Sequence, residues 1–228
     1  MRQNFNPLRL GPRVYDGAMQ GYARLGDLLA NAITHGLGAG LAIAGAVCLI
    51  VASARTSARC VVGCSIFGAT LILLYLCSTL YHSLERTGAR RVFRILDHSA
   101  IYFLIAGTYT PFALVSLHGP LGWTLLAIQW TLAAGGVVFK CFLTGRYEWL
   151  SASLYLAQGW LIVVAVRPLL HSIGWAGLAW LGAGGLAYSA GLVFYALDRR
   201  RFFHATWHLF VLAGSFAHYF AVLWFVAR

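Results

Sequence analysis

His204 and His208 stand four residues apart, so on a helix their imidazoles rise from one face a single turn apart and can hold one metal ion between them. A third nitrogen from elsewhere in the chain would leave one tetrahedral position open for water, the arrangement of a catalytic zinc site. His82 is the histidine for that place, and Ser78, four residues before it, shares its helix face. Asp97 adds a carboxylate. Beside a metal-bound water, a carboxylate and a hydroxyl can orient it, accept its proton or polarise the attacked group. With the pKa of that water lowered to roughly 7, the set describes a metal-assisted hydrolase. Imidazole ligands favour zinc over magnesium or calcium, while iron and cobalt stay open.

These residues need elements that bring them together, and composition says what kind. Hydrophobic residues make up 60% of the 228 residues and charged residues 10%, a balance that a soluble domain cannot have. Runs of about 20 apolar residues, each long enough to cross a hydrocarbon core of roughly 30 Å, follow one another closely. They predict an all-α membrane protein, a bundle of seven transmembrane helices over 32–52, 60–81, 98–117, 121–139, 149–166, 173–196 and 205–226. The weakest break is Leu117 to Pro120, where Gly119 and Pro120 suit a tight turn. Residues 31–228 read as a single transmembrane domain. Residues 1–30 form a cytoplasmic N-terminal segment without a secretory leader, of which 14–31 can lie along the inner surface as an amphipathic helix.

The formal charge of +11 is distributed in short loops, which points to topology and not to nucleic acid. With the N-terminus in the cytoplasm, the inner segments hold Arg2, Arg9, Arg13, Arg24, Arg86, Arg90, Arg91, Arg94, Lys140, Arg146, Arg199, Arg200 and Arg201. The outer face keeps Arg55, Arg59, Arg167 and Arg228. That asymmetry sets the N-terminus inside, and an odd number of spans puts the C-terminus outside. The same threading sorts the histidines: His35, His82, His98, His204 and His208 all fall near the cytoplasmic face. His82 and His204 are far apart in sequence, so their shared depth owes nothing to local pattern.

Each ionisable group at membrane depth is a functional hypothesis with a structural alternative beside it. A HisxxxHis pair can be two interfacial side chains with satisfied hydrogen bonds, and Asp97 can cap the third helix, a role compatible with chemistry. His218, His35 and His98 read as buried, hydrogen-bonded packing groups; His118 and His171 read as solvated in outer loops. Cys48, Cys60, Cys64, Cys77 and Cys141 form no CysxxCys pair and read as small buried apolar side chains. Gly174, Gly177, Gly182, Gly184 and Gly185 permit close helix contact. Pro111 is expected to kink its helix and free a carbonyl.

Asn31-Ala-Ile-Thr-His35-Gly36, Ser78-Thr-Leu-Tyr-His82-Ser83, Leu96-Asp97-His98-Ser99 leading into Ala106-Gly-Thr-Tyr-Thr-Pro111, and His204-Ala-Thr-Trp-His208-Leu209 together resemble the hemolysin III family, within the progestin and adiponectin receptor superfamily. The resemblance runs from about residue 27 through nearly the whole chain. It implies a seven-helix bundle of inverted receptor-like topology, zinc bound by His82, His204 and His208, and Asp97 and Ser78 near the zinc-held water. Relatives in the broader group look like lipid amide hydrolases, ceramidases among them. The hemolysin label implies membrane damage, yet no separate pore-forming or secreted segment accompanies it here.

The expected function is therefore zinc-dependent hydrolysis of an amide or ester of a membrane lipid, with that lipid as substrate or ligand. One alternative is a sensor or receptor in which a closed zinc site staples helices. Another is a cytolysin, which would need a continuous polar stripe along several helices. Bis-histidine haem ligation prefers opposing helices, whereas a pair on one helix suits a small ion. Sixteen arginines against one lysine, with abundant alanine and glycine, point to a bacterial inner membrane.

Overall fold

The computed structural model describes the backbone of residues 12–85 and 87–228 and the side chains from residue 25 onward, Arg86 apart. Arg2, Arg9 and Arg86 lie outside the described residues, and the amphipathic reading of 14–31 falls largely on side chains outside them. Regular structure among the described residues is helical throughout. α1 (Pro12–Ser53) runs unbroken; α2 (Ala58–Ser83) starts at Ser57, whose hydroxyl accepts the Cys60 N–H at 3.2 Å. α3 (Arg90–Pro111) continues into a π-helical turn, Phe112–Leu117. Pro111 has no N–H to give to the carbonyl four residues back, so the ladder widens there. The break before α4 (Gly119–Leu143) is the expected tight turn, with Gly119 at φ +70°.

The next stretch departs from expectation. A loop over 167–172 was predicted, but α5 (Glu148–Trp160) passes through a 3₁₀ turn, Leu161–Ala165, directly into α6 (Val166–Ala196). The reversal sits at Gly174, with φ 66° and ψ −179°, a backbone conformation closed to residues with a Cβ. Chain contacts prove the fold-back: Trp160 Nε1 donates to Ser189 Oγ at 3.0 Å, and Tyr195 Oη reaches Glu148 Oε2 at 3.4 Å. His171 is exposed as expected, but on a helix. Of the glycines assigned to close contact, Gly184 lies under the His218 ring and Gly185 faces Trp160, while at Gly182 a side chain would find open space.

α7 (Phe203–Phe225) packs on α6 and α1, and α1 on α2, α2 on α3, α3 on α4, so the helices close round a shared interior. The pattern is inverted relative to a soluble protein. Leu41 is 70% and Phe142 81% exposed, while Asn31, Ser78, Gln129, Lys140, Gln158 and His208 are buried. Six helical stretches are long and apolar enough to cross a bilayer: Leu25–Ser53, Ala58–Ser83, Arg90–Leu117, Gly119–Leu143, Glu148–Ala196 and Phe203–Phe225. The chain is a multi-pass membrane protein.

One end of the bundle is tied by ions. Lys140 of α4, with no exposed side-chain surface, donates to Glu148 Oε2 at 2.9 Å, and Arg94 of α3 reaches Glu148 Oε1 at 3.4 Å. Removing one partner of a buried pair leaves an uncompensated charge. Glu148→Ala is therefore expected to destabilise the fold by about 3–5 kcal/mol, read as a lowered unfolding midpoint in detergent. The double variant Lys140→Met, Glu148→Leu, which removes both charges, recovers most of that loss.

Candidate metal centre

The last turn of α2 presents Ser78 and His82 on one face, and the first turns of α7 present His204 and His208 on theirs. The two faces meet. Ring centroids lie 5.1 Å apart for His82 and His204, 5.0 Å for His82 and His208, and 4.8 Å for His204 and His208. One nitrogen from each of the three falls within 4.8 Å of the other two, close enough to hold a metal ion.

The surroundings prepare these nitrogens for a ligand role. The Thr34 hydroxyl spends its one proton on the carbonyls of Ala30 (2.8 Å) and Asn31 (3.0 Å). Its oxygen is thus an acceptor for His208 Nδ1 at 3.1 Å, which puts the proton on Nδ1 and bares Nε2. His204 Nδ1 lies 3.7 Å from Asp198 Oδ2, and His204 holds the Asp198 carboxyl below the usual carboxylate range. A carboxylate behind a ligating imidazole fixes its orientation and raises its basicity. His82 Nε2 is buried with no hydrogen-bond partner in the protein. Such an orphan is costly unless something else engages it. Three converging imidazoles, one unsatisfied, one oriented by a hydroxyl and one beside a carboxylate, fit a borderline-soft ion such as zinc.

Asp97 opens no new face but joins the same wall. It lies against Ser78, and both line a cavity of about 310 Å³ with His35, His204 and His208 at its polar end. The rest of that chamber is mostly apolar, built by residues such as Leu104, Phe112, Leu156 and Leu181, with His98 and His218 also in its wall. A second, polar chamber of about 760 Å³ borders His82 and His204 and contains Arg94, Glu148 and Asp198.

The packing histidines divide. His98 Nδ1 donates to the Arg94 carbonyl at 2.7 Å, and His218 Nε2 to the Leu181 carbonyl at 3.2 Å, as a hydrogen-bonded reading requires. His35 does not follow it. Its ring stacks on His208 at 3.5 Å and meets Tyr75 edge-on, and both its nitrogens are buried without partners. Thr34 and Asp198 were not singled out in the sequence. Thr34 sits inside the Asn31–His35 motif, which was a usable signal; Asp198 had none.

The family described as haemolysin-III related matches residues 28–219. Hemolysin-3 of Bacillus cereus is 51% identical over 199 residues, covering 87% of this chain and 91% of the relative. The Hemolysin-3 homolog of Bacillus subtilis (strain 168) is 50% identical over 201 residues, with 88% and 94% covered. The Monocyte to macrophage differentiation factor of Homo sapiens is 32% identical over 169 residues, with 72% and 70% covered. A profile spanning most of the chain, joined to two Bacillus relatives matched along nearly their full length, leaves a single assignment: the chain belongs to the haemolysin-III related family, within the progestin and adiponectin receptor superfamily.

Proposed function

We propose that this protein is a zinc-dependent hydrolase of a membrane lipid amide or ester, crossing the bilayer seven times with its N-terminus in the cytoplasm. The seventh crossing comes from Glu148–Ala196, whose 49 residues turn back at Gly174. The basic residues crowd the end of the bundle that holds the histidines, which the positive-inside rule assigns to the cytoplasm.

The observation that carries the chemistry is the meeting of His82, His204 and His208 with Asp97 and Ser78 at the polar end of an apolar chamber. Zinc held by the three histidines would act as a Lewis acid toward a carbonyl and lower the pKa of water to roughly 7. The Asp97 carboxylate takes a proton from the attacking water as its oxygen bonds the carbonyl carbon. It returns that proton to the leaving nitrogen or oxygen as the C–N or C–O bond breaks. The Ser78 hydroxyl holds the water or the developing oxyanion in place. The apolar chamber receives the acyl chain and excludes bulk water, and the polar chamber receives the head group.

The name of the Bacillus cereus relative raises a second reading, a cytolysin. Against it stands the inward pairing of Gln129 and Gln158, each of whose side-chain amides donates to the other's backbone carbonyl, at 3.0 and 3.3 Å. The test is turnover of matched N-acyl and O-acyl lipids by detergent-purified protein, before and after chelation. Hydrolysis abolished by chelation and restored by stoichiometric zinc is the expected result. Absence of turnover in zinc-loaded protein, with dye release from vesicles, would replace the enzyme with a lytic protein.

A further inference from the structure

The two chambers share a rim, and His98 is on it. Residues lining both are His98, Ala152, Leu192, Tyr195 and His204. A lipid with its chain in the apolar chamber and its head in the polar one must thread this rim. Its polar linkage then passes the His98 ring.

The chemistry of that ring is fixed by the backbone. A carbonyl only accepts, so the 2.7 Å contact between His98 Nδ1 and the Arg94 carbonyl places the proton on Nδ1. Nε2 of the neutral imidazole is then a bare acceptor, and it has no partner among the described residues. The ring has little freedom to turn away: His98 is 8% exposed, and its own carbonyl is tied by Tyr155 Oη at 2.8 Å. His35 and His218 also line the apolar chamber, but of the three only His98 borders both chambers. An acceptor held in place beside a ligand channel selects a donor, because a ligand that displaces water there without one leaves it unpaired. Of the two linkages in the proposed substrate class, a secondary amide carries an N–H and an ester carries none.

Resting on the lipid-hydrolase reading above, we propose that His98 is a specificity-determining residue whose Nε2 accepts a hydrogen bond from the N–H of an N-acyl lipid at the junction of the two chambers. Its role is binding, separate from the proton transfer assigned to Asp97.

The experiment uses three bromo-dodecanoyl probes: a secondary amide, its N-methylated counterpart and the matching ester. Binding to zinc-loaded protein is read by quenching of tryptophan fluorescence, since Trp160 and Trp207 line the apolar chamber. Wild type is expected to prefer the secondary amide by roughly tenfold over both others. His98→Phe erases the preference at unchanged zinc content. His98→Asn, which offers a side-chain carbonyl, keeps part of it and stands in should the Phe variant misfold. Equal binding of the three probes by wild type, binding of none, or a preference that survives in His98→Phe each overturns the proposal. Turnover separates the two ideas. Hydrolysis without N–H preference sinks the His98 role alone, and N–H preference without hydrolysis sinks the enzyme alone.

Discussion

On the proposed zinc site, replacing His82 or His208 by alanine is expected to take the zinc content of the purified protein from about one ion per chain to essentially none. Elemental analysis of folded, monodisperse protein measures it. The effect is large because a site with three protein ligands has no spare donor. The first ligand lost leaves two imidazoles, on one helix or on two, and the next nearest histidine cannot substitute: His35 stacks flat on His208 with its nitrogens outside the converging group. His218→Gln serves as the control. It lies on α7 but bonds the Leu181 carbonyl, so its loss leaves the zinc in place. A well-folded wild type without metal would reduce the three imidazoles to packing groups. Zinc kept by His82→Ala would move the third ligand elsewhere.

The difference between what could be read in the sequence and what could not follows the range of the contacts. Span positions and the pairs Ser78–His82 and His204–His208 are local patterns, set by hydrophobic runs and by 3.6 residues per turn. The shared depth of His82 and His204 was legible because a bilayer fixes where each helix starts and stops. Partners set by side-chain packing across helices were not. Thr34 orients His208 from α1 and Asp198 orients His204 from the α6–α7 connection, and no spacing announces either. The Arg94–Glu148–Lys140 cluster draws on three helices and escaped for the same reason. Gly174 escaped differently. It was one of several glycines in an apolar run, and only its positive φ separates a turn from a packing contact.

Asp97→Asn is expected to lower turnover by about 10²–10⁴-fold while leaving the zinc content unchanged. The substitution keeps shape and removes the one function the proposed mechanism asks of that side chain, which is to accept a proton. Ser78→Ala serves as comparison and costs less, because a hydroxyl that positions a water is partly replaced by another water. The zinc measurement decides between two roles for Asp97. Turnover lost with zinc retained assigns it to proton transfer. Zinc lost along with turnover would make it a group that places the histidines, an outcome its setting argues against. It contacts Ser78 on the chamber wall, while the backing of the ligand rings comes from Thr34 and Asp198. If turnover survives in Asp97→Asn, the proton must leave by another route; α3 begins at Arg90, so Asp97 lies inside the helix and does not cap it, and its role would be one of packing.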